Sequence, residues 1–279
     1  MLVCDIIDDF SDEIYHGINI YQRDRLVRLL RLYVRKRERI AAVAGLQFPL
    51  SRLFTNPKVR YLCIIMKVDC HCHILPGLDD GAQTLEDSVF LAGKLVEWGY
   101  QRAICTSHSS FLYRNTPASV TAACDKLRAE LANRGIELEL VPSMEYRFIP
   151  ETWPAVRDSN WLLPWEGNHI LVELPIHDST KIGDIIPLAE MRWLMEQGYQ
   201  PVLAHPERYL YLQMEEYQAF KAAGVQFQRN LGTLEGMYGE AVCVRAEALD
   251  AEGMYEWVGT DLHKKKYADF FDEHIFCKQ

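Results

Sequence analysis

The 279-residue sequence predicts an α/β protein, a distorted seven-stranded (β/α)7 barrel with an extra N-terminal helical segment. Two observations predict the barrel. From residue 67 onward, seven strand-like segments alternate with helix-like ones, as in parallel sheets with helical crossovers. Six of the seven strands deliver a His, Asp or Glu at their carboxyl ends, which is where a barrel collects its catalytic residues.

The elements follow from short apolar runs and the turn residues between them. Helical spacing marks the crossovers, most clearly over 85–99 and 119–135, and most strands follow a Gly, an Asn or a Gly-containing turn, as a helix end requires. The predicted strands are 67–73, 102–108, 137–147, 169–175, 200–207, 225–231 and 255–263.

Residues 1–65 are predicted to be an extension, and residues 66–279 the functional domain. Within the basic stretch 22–39, apolar residues fall at helical spacing, which predicts an amphipathic helix suited to anionic lipid or a partner. A merely solvated helix fits equally well. Met66 followed by Lys-Val-Asp resembles a natural translation start, which favours an extension without a specific function.

Composition excludes several classes of protein. Residues 1–65 carry a net charge of +4 and the remainder −13, and an acidic domain is a poor nucleic-acid binder. No apolar run reaches eighteen residues, so no integral membrane protein is expected, and no secretory signal is evident. The eight cysteines lack framework spacing, which predicts reduced thiols in a cytoplasmic protein.

Eight ionisable residues are expected to meet at the barrel mouth. Packed together without a compensating ion, such groups would cost several kcal/mol each. A salt-bridge network is a weak alternative, because the set contains no Lys or Arg. The members are His71, His73, His108, Glu145, Glu173, His205, Asp261 and His263.

The motif Cys-His-Cys-His at 70–73 poses a choice between thiolate and imidazole ligands. Residues two apart in a strand face the same side, so His71 and His73 are predicted to face the mouth, and Cys70 and Cys72 the helix layer. A mixture of imidazole and carboxylate suits Mn, Fe, Zn or Co. With Asp80 the ligands number nine, which implies two or three ions, and a carboxylate such as Glu145 could join two of them.

Six short motifs occur along the chain in the order found in the polymerase-and-histidinol-phosphatase (PHP) superfamily, which the sequence therefore resembles. ILPGLDDGA, HPERY and GMYG at 236–239 resemble more closely its tyrosine-protein phosphatases from bacterial capsular and exopolysaccharide clusters, over roughly residues 66–271. The motifs are DCHCHILPGLDDGA at 69–82, TSH at 106–108, SMEY at 143–146, LVELP at 171–175, AHPERY at 204–209 and VGTDLH at 258–263.

The resemblance implies three metal ions, usually manganese, and a ligand set for each. Arg208 would bind the substrate phosphate, since a guanidinium fork suits phosphate oxygens. The substrate would be the phosphotyrosine tail of a membrane tyrosine autokinase that controls polysaccharide synthesis. The implied sets are His71, His73, Glu145 and Asp261 for the first ion; Glu145, Glu173 and His205 for the second; Asp80, His108 and His263 for the third.

Three departures from relatives stand out. Cys72 replaces a common Ser, without expected effect on the chemistry. Ser109 and Ser110 stand where relatives carry His or Arg, which puts a second phosphate contact in doubt. Only sixteen residues follow His263, so a final helix is expected to be shortened or missing, and self-association is left open.

Three other functions are alternatives to this one. Another phosphoesterase of the superfamily, such as a histidinol-phosphate phosphatase, would share the metal site. A metal-free regulatory module would be expected to have lost ligands, whereas this chain retains the whole set. A thiol-based tyrosine phosphatase is excluded, because none of the eight cysteines stands six residues before an Arg.

Overall fold

The computed structural model describes residues 68–110, 112–177 and 179–276, so the predicted N-terminal helical segment lies outside the described residues. Strands and helices alternate strictly along this part of the chain. The strands are β1 Val68–Cys72, β2 Arg102–Ser109, β3 Glu139–Arg147, β4 His169–Glu173, β5 Gln200–Ala204, β6 Gln226–Asn230 and β7 Trp257–Gly259. The helices are α1 Leu85–Glu97, α2 Pro117–Asn133, α3 Trp153–Ser159, α4 Pro187–Glu196, α5 Met214–Ala222, α6 Glu240–Ala251 and α7 Lys265–His274.

All seven strands are parallel and pair in chain order, so the predicted barrel architecture is confirmed. The barrel closes through a seam between β1 and the segment after β7. There the backbone N–H of Asp261 donates to the carbonyl of His71 at 2.7 Å, and that of His73 donates to Leu262 at 2.9 Å. Thr260 donates to the buried carboxylate of Asp69 from its backbone and its hydroxyl, at 2.9 and 2.6 Å.

The lower barrel interior is apolar, and Cys70 belongs to it. Its cluster joins strands from all around the barrel, which only the interior can bring together. The cluster consists of Cys70, Ile104, Trp165, Leu171, Val202 and Ala204, with Val68, Val141 and Trp257 packed against it.

The prediction that Cys70 faces the helix layer is therefore wrong, and a β-bulge is the reason. The register between β1 and β2 shifts between Asp69 and Cys72, which inserts one extra residue into β1 and breaks strict alternation. Cys72 does face the helix layer as predicted. It pairs in register with Cys105, whose thiol in turn meets Cys124 of α2.

Hydrogen bonds fix the starts of the first two helices and the position of the last one. Thr84 and Thr116 form capping boxes at the starts of α1 and α2. A helix follows β7, namely α7, which is ten residues long; whether it is shorter than in relatives stays a prediction. It packs on α1, where Trp98 donates to Asp272 at 2.8 Å and stacks edge-on against Phe271. Among the described helices, none is both long and apolar enough to cross a membrane.

Candidate metal centre

The barrel mouth brings together all eight ionisable residues predicted from the strand ends. Every one of them is buried, although each is polar or charged. Glu145 lies at the centre: its carboxylate oxygens approach His108 Nδ1 at 2.9 Å and His205 Nε2 at 3.2 Å. The Nε2 atoms of His71 and His73 lie 3.0 Å apart and 3.4–3.5 Å from Glu145 Oε2.

Partners outside the predicted set orient the two histidines of the β1 motif. His71 Nδ1 meets the amide oxygen of Gln228 at 2.8 Å, and His73 Nδ1 meets Asp79 Oδ2 at 2.9 Å. A carboxylate or amide oxygen accepts, so each Nδ1 carries a proton and donates it there, and each Nε2 points at the cluster. This is the arrangement that metal-binding histidines require.

His263 is held in the same tautomer. Its Nδ1 lies 2.8 Å from the carbonyl oxygen of Asp261, which can only accept. Burial, together with the neighbouring His73, lowers the pKa of His263 to about 4, despite the opposing Asp261 carboxylate. The ring is therefore neutral at pH 7, with Nε2 available, and it stacks on His73 at a centroid distance of 3.9 Å.

The cluster has buried polar atoms without hydrogen bonds. Both oxygens of Glu145 and the Nδ1 atoms of His108 and His205 have none, since the close approaches among them lack hydrogen-bond alignment. Burial opposes ionisation of Glu145, but the surrounding histidines outweigh it and hold its pKa well below the usual range. A buried, charged carboxylate without a hydrogen bond is costly, and in combination with imidazoles it is suited to divalent cations. The residues present therefore fit a metal centre.

Potential ligand atoms form four groups of three residues. Within each group, the ligand atoms all lie within 4.8 Å of one another. One matches the core of the first implied ion site, and two share Glu145, as a ligand common to two ions would. Asp80, half-exposed at the rim, approaches His108 and His263 at 3.5 and 3.7 Å. The division of ligands among ions stays a prediction. The groups are His71, His73 and Asp261; His71, Glu145 and His205; His108, Glu145 and Glu173; His73, His108 and His263.

Two of the clustered residues have left-handed backbone conformations. His205 has φ 31° and Asp261 has φ 54°, a region that residues other than glycine rarely adopt. Such conformations persist where the surroundings enforce them, and they concentrate at functional sites. For His205 the following turn at Pro206–Arg208 supplies the constraint, because Glu207 is fully buried and accepts hydrogen bonds from Asn230, Thr233 and Tyr255.

Arg208 lies beside the cluster, as its predicted role requires. Its Nη1 is 3.2 Å from Asp261 Oδ2, and its guanidinium lies over the ring of Tyr238 at 4.7 Å. Burial alone would lower the pKa of Arg208, but Asp261 outweighs it and raises that pKa, so the group stays charged. Binding of a substrate phosphate by Arg208 stays a prediction.

Sequence reasoning missed Asp79, Gln228 and Arg147. Asp79 stands next to the predicted Asp80, and only its burial distinguishes it. Arg147 follows Glu145 by two residues and donates from Nε to Glu173 Oε2 at 2.5 Å. Its position two residues beyond Glu145 on the same strand was a usable signal, since both side chains then face the same side.

A parallel barrel with a buried imidazole and carboxylate cluster at the carboxyl ends of its strands defines a metal-dependent enzyme by class. Residues 67–269 match the family model described as capsular polysaccharide synthesis, CpsB/CapC. The chain belongs to this family, and the resemblance noted from its motifs is confirmed.

Relatives carry more specific names. The tyrosine-protein phosphatase YwqE of Bacillus subtilis is 31% identical over 209 residues, covering 73% of this chain and 80% of YwqE. CapC of Staphylococcus aureus is 21% identical over 215 residues, covering 75% of this chain and 82% of CapC. A solved chain matches with a TM-score of 0.64 at 28% identity, over 75% of this chain and 87% of its own length. It comes from the crystal structures of YwqE and of CpsB from Streptococcus pneumoniae, described as unique metal-dependent tyrosine phosphatases.

Proposed function

We propose that this chain is a metal-dependent tyrosine-protein phosphatase that hydrolyses phosphotyrosine on a bacterial tyrosine autokinase. The observation that carries the proposal is the buried Glu145 carboxylate, which lacks hydrogen bonds and is surrounded by imidazoles, with the Arg208 guanidinium 3.2 Å from one member of the same cluster. In this proposal the cluster would hold the metal ions, and the neighbouring guanidinium would bind the substrate phosphate. The names of the relatives support the substrate class.

The nine predicted ligands would hold two or three divalent ions, with Glu145 shared between two of them. Bound divalent ions supply charge neutralisation of a phosphoryl group and a water of lowered pKa. Asp79 and Gln228 keep the Nε2 atoms of the β1 histidines directed at the cluster. Arg208 would orient the phosphate through charge-assisted hydrogen bonds, and Arg147 would hold Glu173 in place through its short ion pair.

The family description supports a role in regulating capsule or exopolysaccharide synthesis. In this proposal the partner is the phosphotyrosine tail of a membrane-bound kinase, and the enzyme acts in the cytoplasm with manganese as its usual ion. Nucleic acid is not a proposed partner, because residues 66–279 are strongly acidic.

The test compares substrates and metals in one design. The purified full chain is stripped with a chelator, reloaded separately with Mn, Fe, Zn or Co, and assayed on a phosphotyrosine peptide, a phosphoserine peptide and histidinol phosphate. We expect metal-dependent hydrolysis with the phosphotyrosine peptide preferred. A preference for histidinol phosphate would select the other phosphoesterase of the superfamily, and full activity after complete stripping would refute the metal dependence.

Binding to the kinase needs its own test. Cells of the source bacterium are compared with and without an intact gene for this chain. The phosphotyrosine content of their membrane tyrosine kinases is measured. We expect it to rise when the phosphatase is absent and to fall again when the wild-type chain is restored, but not when an Arg208→Ala chain is restored. An unchanged phosphotyrosine content would contradict the proposed partner.

A further inference from the structure

A cavity of about 490 Å³ opens beside the metal centre. Its lining comes from the loops that follow three adjacent strands, which places it on the same face of the barrel as the cluster. Ile176 follows β4, Leu210 follows β5, and Val242 lies in the first turn of α6, after β6. The volume lies in the range of small-molecule sites.

Arg208 connects this cavity to the metal centre. Its side chain is among the cavity-lining groups, and its Nη1 is 3.2 Å from Asp261 in the cluster. A ligand whose phosphate met this guanidinium would therefore extend its remaining atoms into the cavity. The cavity also receives Tyr238, whose ring lies under the same guanidinium.

The cavity walls offer mainly apolar surface and aromatic rings. Ile176, Leu210 and Val242 contribute aliphatic groups. The two tyrosine hydroxyls are engaged elsewhere: Tyr211 donates to the carbonyl of Pro175 at 2.8 Å, and Tyr238 lies 3.0 Å from the side-chain nitrogen of Asn230. The part of a ligand that fills this space is therefore apolar, while its charged end meets Arg208.

We propose that this cavity binds the phenyl ring of the substrate phosphotyrosine and so determines specificity for aryl over alkyl phosphates, an inference that rests on the proposed phosphatase function. The phosphate of phosphotyrosine stands a full ring away from its peptide backbone. The ring can occupy the cavity while the peptide stays at the rim, near the exposed His177 and the partly exposed Leu210. Phosphoserine carries its phosphate on a single carbon, so it would leave the apolar walls without a partner.

The test separates ring recognition from phosphate recognition. Binding of phenylphosphonate and methylphosphonate to the manganese-loaded full chain is measured by calorimetry, for the wild type and for the double variant Ile176→Ala/Leu210→Ala. Both side chains are partly exposed, so the fold should tolerate their truncation. We expect the wild type to prefer phenylphosphonate, and the double variant to lose about tenfold or more in affinity for it. Affinity for methylphosphonate should stay within about twofold.

The matched control is Val244→Ala, which removes an exposed aliphatic side chain of α6 that does not line the cavity. It should leave both affinities unchanged. In parallel, kcat/KM on phosphotyrosine and phosphoserine peptides should fall for the first substrate alone in the double variant. Equal loss for both phosphonates, or none for either, would overturn the cavity assignment. A wild type that hydrolyses no phosphotyrosine would instead overturn the proposed function, whatever the phosphonate affinities.

Discussion

The barrel interior has two levels built on the same strands, and their contrast shows how this fold separates stability from chemistry. The lower level holds Ile104, Val141 and Leu171 in an apolar cluster. Two to four residues further along the same strands, the upper level holds His108, Glu145 and Glu173. Ile104 and Leu171 are as buried as the three residues of the upper level, so burial does not distinguish the levels; the availability of hydrogen-bond partners does.

At the lower level the side chains pack against neighbouring apolar groups. At the upper level, oxygens of Glu145 and ring nitrogens of His108 and His205 are buried without hydrogen bonds. The first level should therefore be sensitive to changes in polarity, and the second to the loss of any ligand. The predictions below test that division, from the largest expected effect to the smallest.

Removing the central carboxylate should have the largest effect on function. Glu145→Ala takes away a central carboxylate that approaches four histidines, so bound metal should fall together with the rate. We expect a loss of about a thousandfold or more in kcat/KM on a phosphotyrosine peptide. Elemental analysis beside kinetics measures both, with circular dichroism confirming the fold. A variant that kept its full metal complement would contradict the shared-ligand assignment.

Removing the guanidinium should affect the rate but not the metal. Arg208→Ala leaves every predicted ligand in place, so metal content should stay at the wild-type level. Loss of a charge-assisted contact to the phosphate should cost about 2–4 kcal/mol of transition-state stabilisation, roughly a thirtyfold to thousandfold drop in kcat/KM. Arg208→Lys is the matched control and should recover part of the rate. Full activity in Arg208→Ala would show that phosphate binding lies elsewhere.

Serine substitutions at the two cysteines of β1 compare the stability contributions of the apolar interior and the helix layer. Cys70→Ser places a hydroxyl in the apolar interior cluster, where we expect a loss of about 1–3 kcal/mol in the free energy of unfolding. Cys72→Ser should cost less, about 1 kcal/mol or below, because Cys72 Sγ already lies 3.4 Å from the carbonyl of Ile104, which a hydroxyl can also reach. Urea denaturation measures the difference, and the reverse order would contradict the bulge. Phosphatase activity of Cys72→Ser should be retained.

Removing residues 1–65 should have the smallest effect. Every predicted ligand follows Met66, so a chain beginning there should keep its turnover on a phosphotyrosine peptide. The full chain, loaded with the same metal and assayed at the same concentration, is the comparison. A loss of more than about tenfold in soluble, folded protein would show that the segment shapes the active site.

Sequence patterns were sufficient for the architecture and for the convergence of the eight strand-end residues. Most strands were recognisable by short apolar runs or alternation between turn residues, and parallel pairing then placed the strand ends together. The bulge in β1 was not predictable, because alternation assumes regular pairing and an inserted residue leaves no local signal in Cys-His-Cys-His. Asp79 was missed for a similar reason: two adjacent aspartates look alike until one is buried against His73.

The seam that closes the barrel has a consequence for how the enzyme is made. Thr260 and Asp69 are 191 positions apart, and Asp261 and His263 follow directly after Thr260. At ribosomal rates of about 5–20 residues per second, His71 and His73 emerge roughly 10–40 s before these two partners exist. A nascent chain that stalls in this interval lacks two of the predicted ligands and the strand that closes the barrel. With Asp261 and His263 as ligands, activity is expected only of chains whose translation has passed His263.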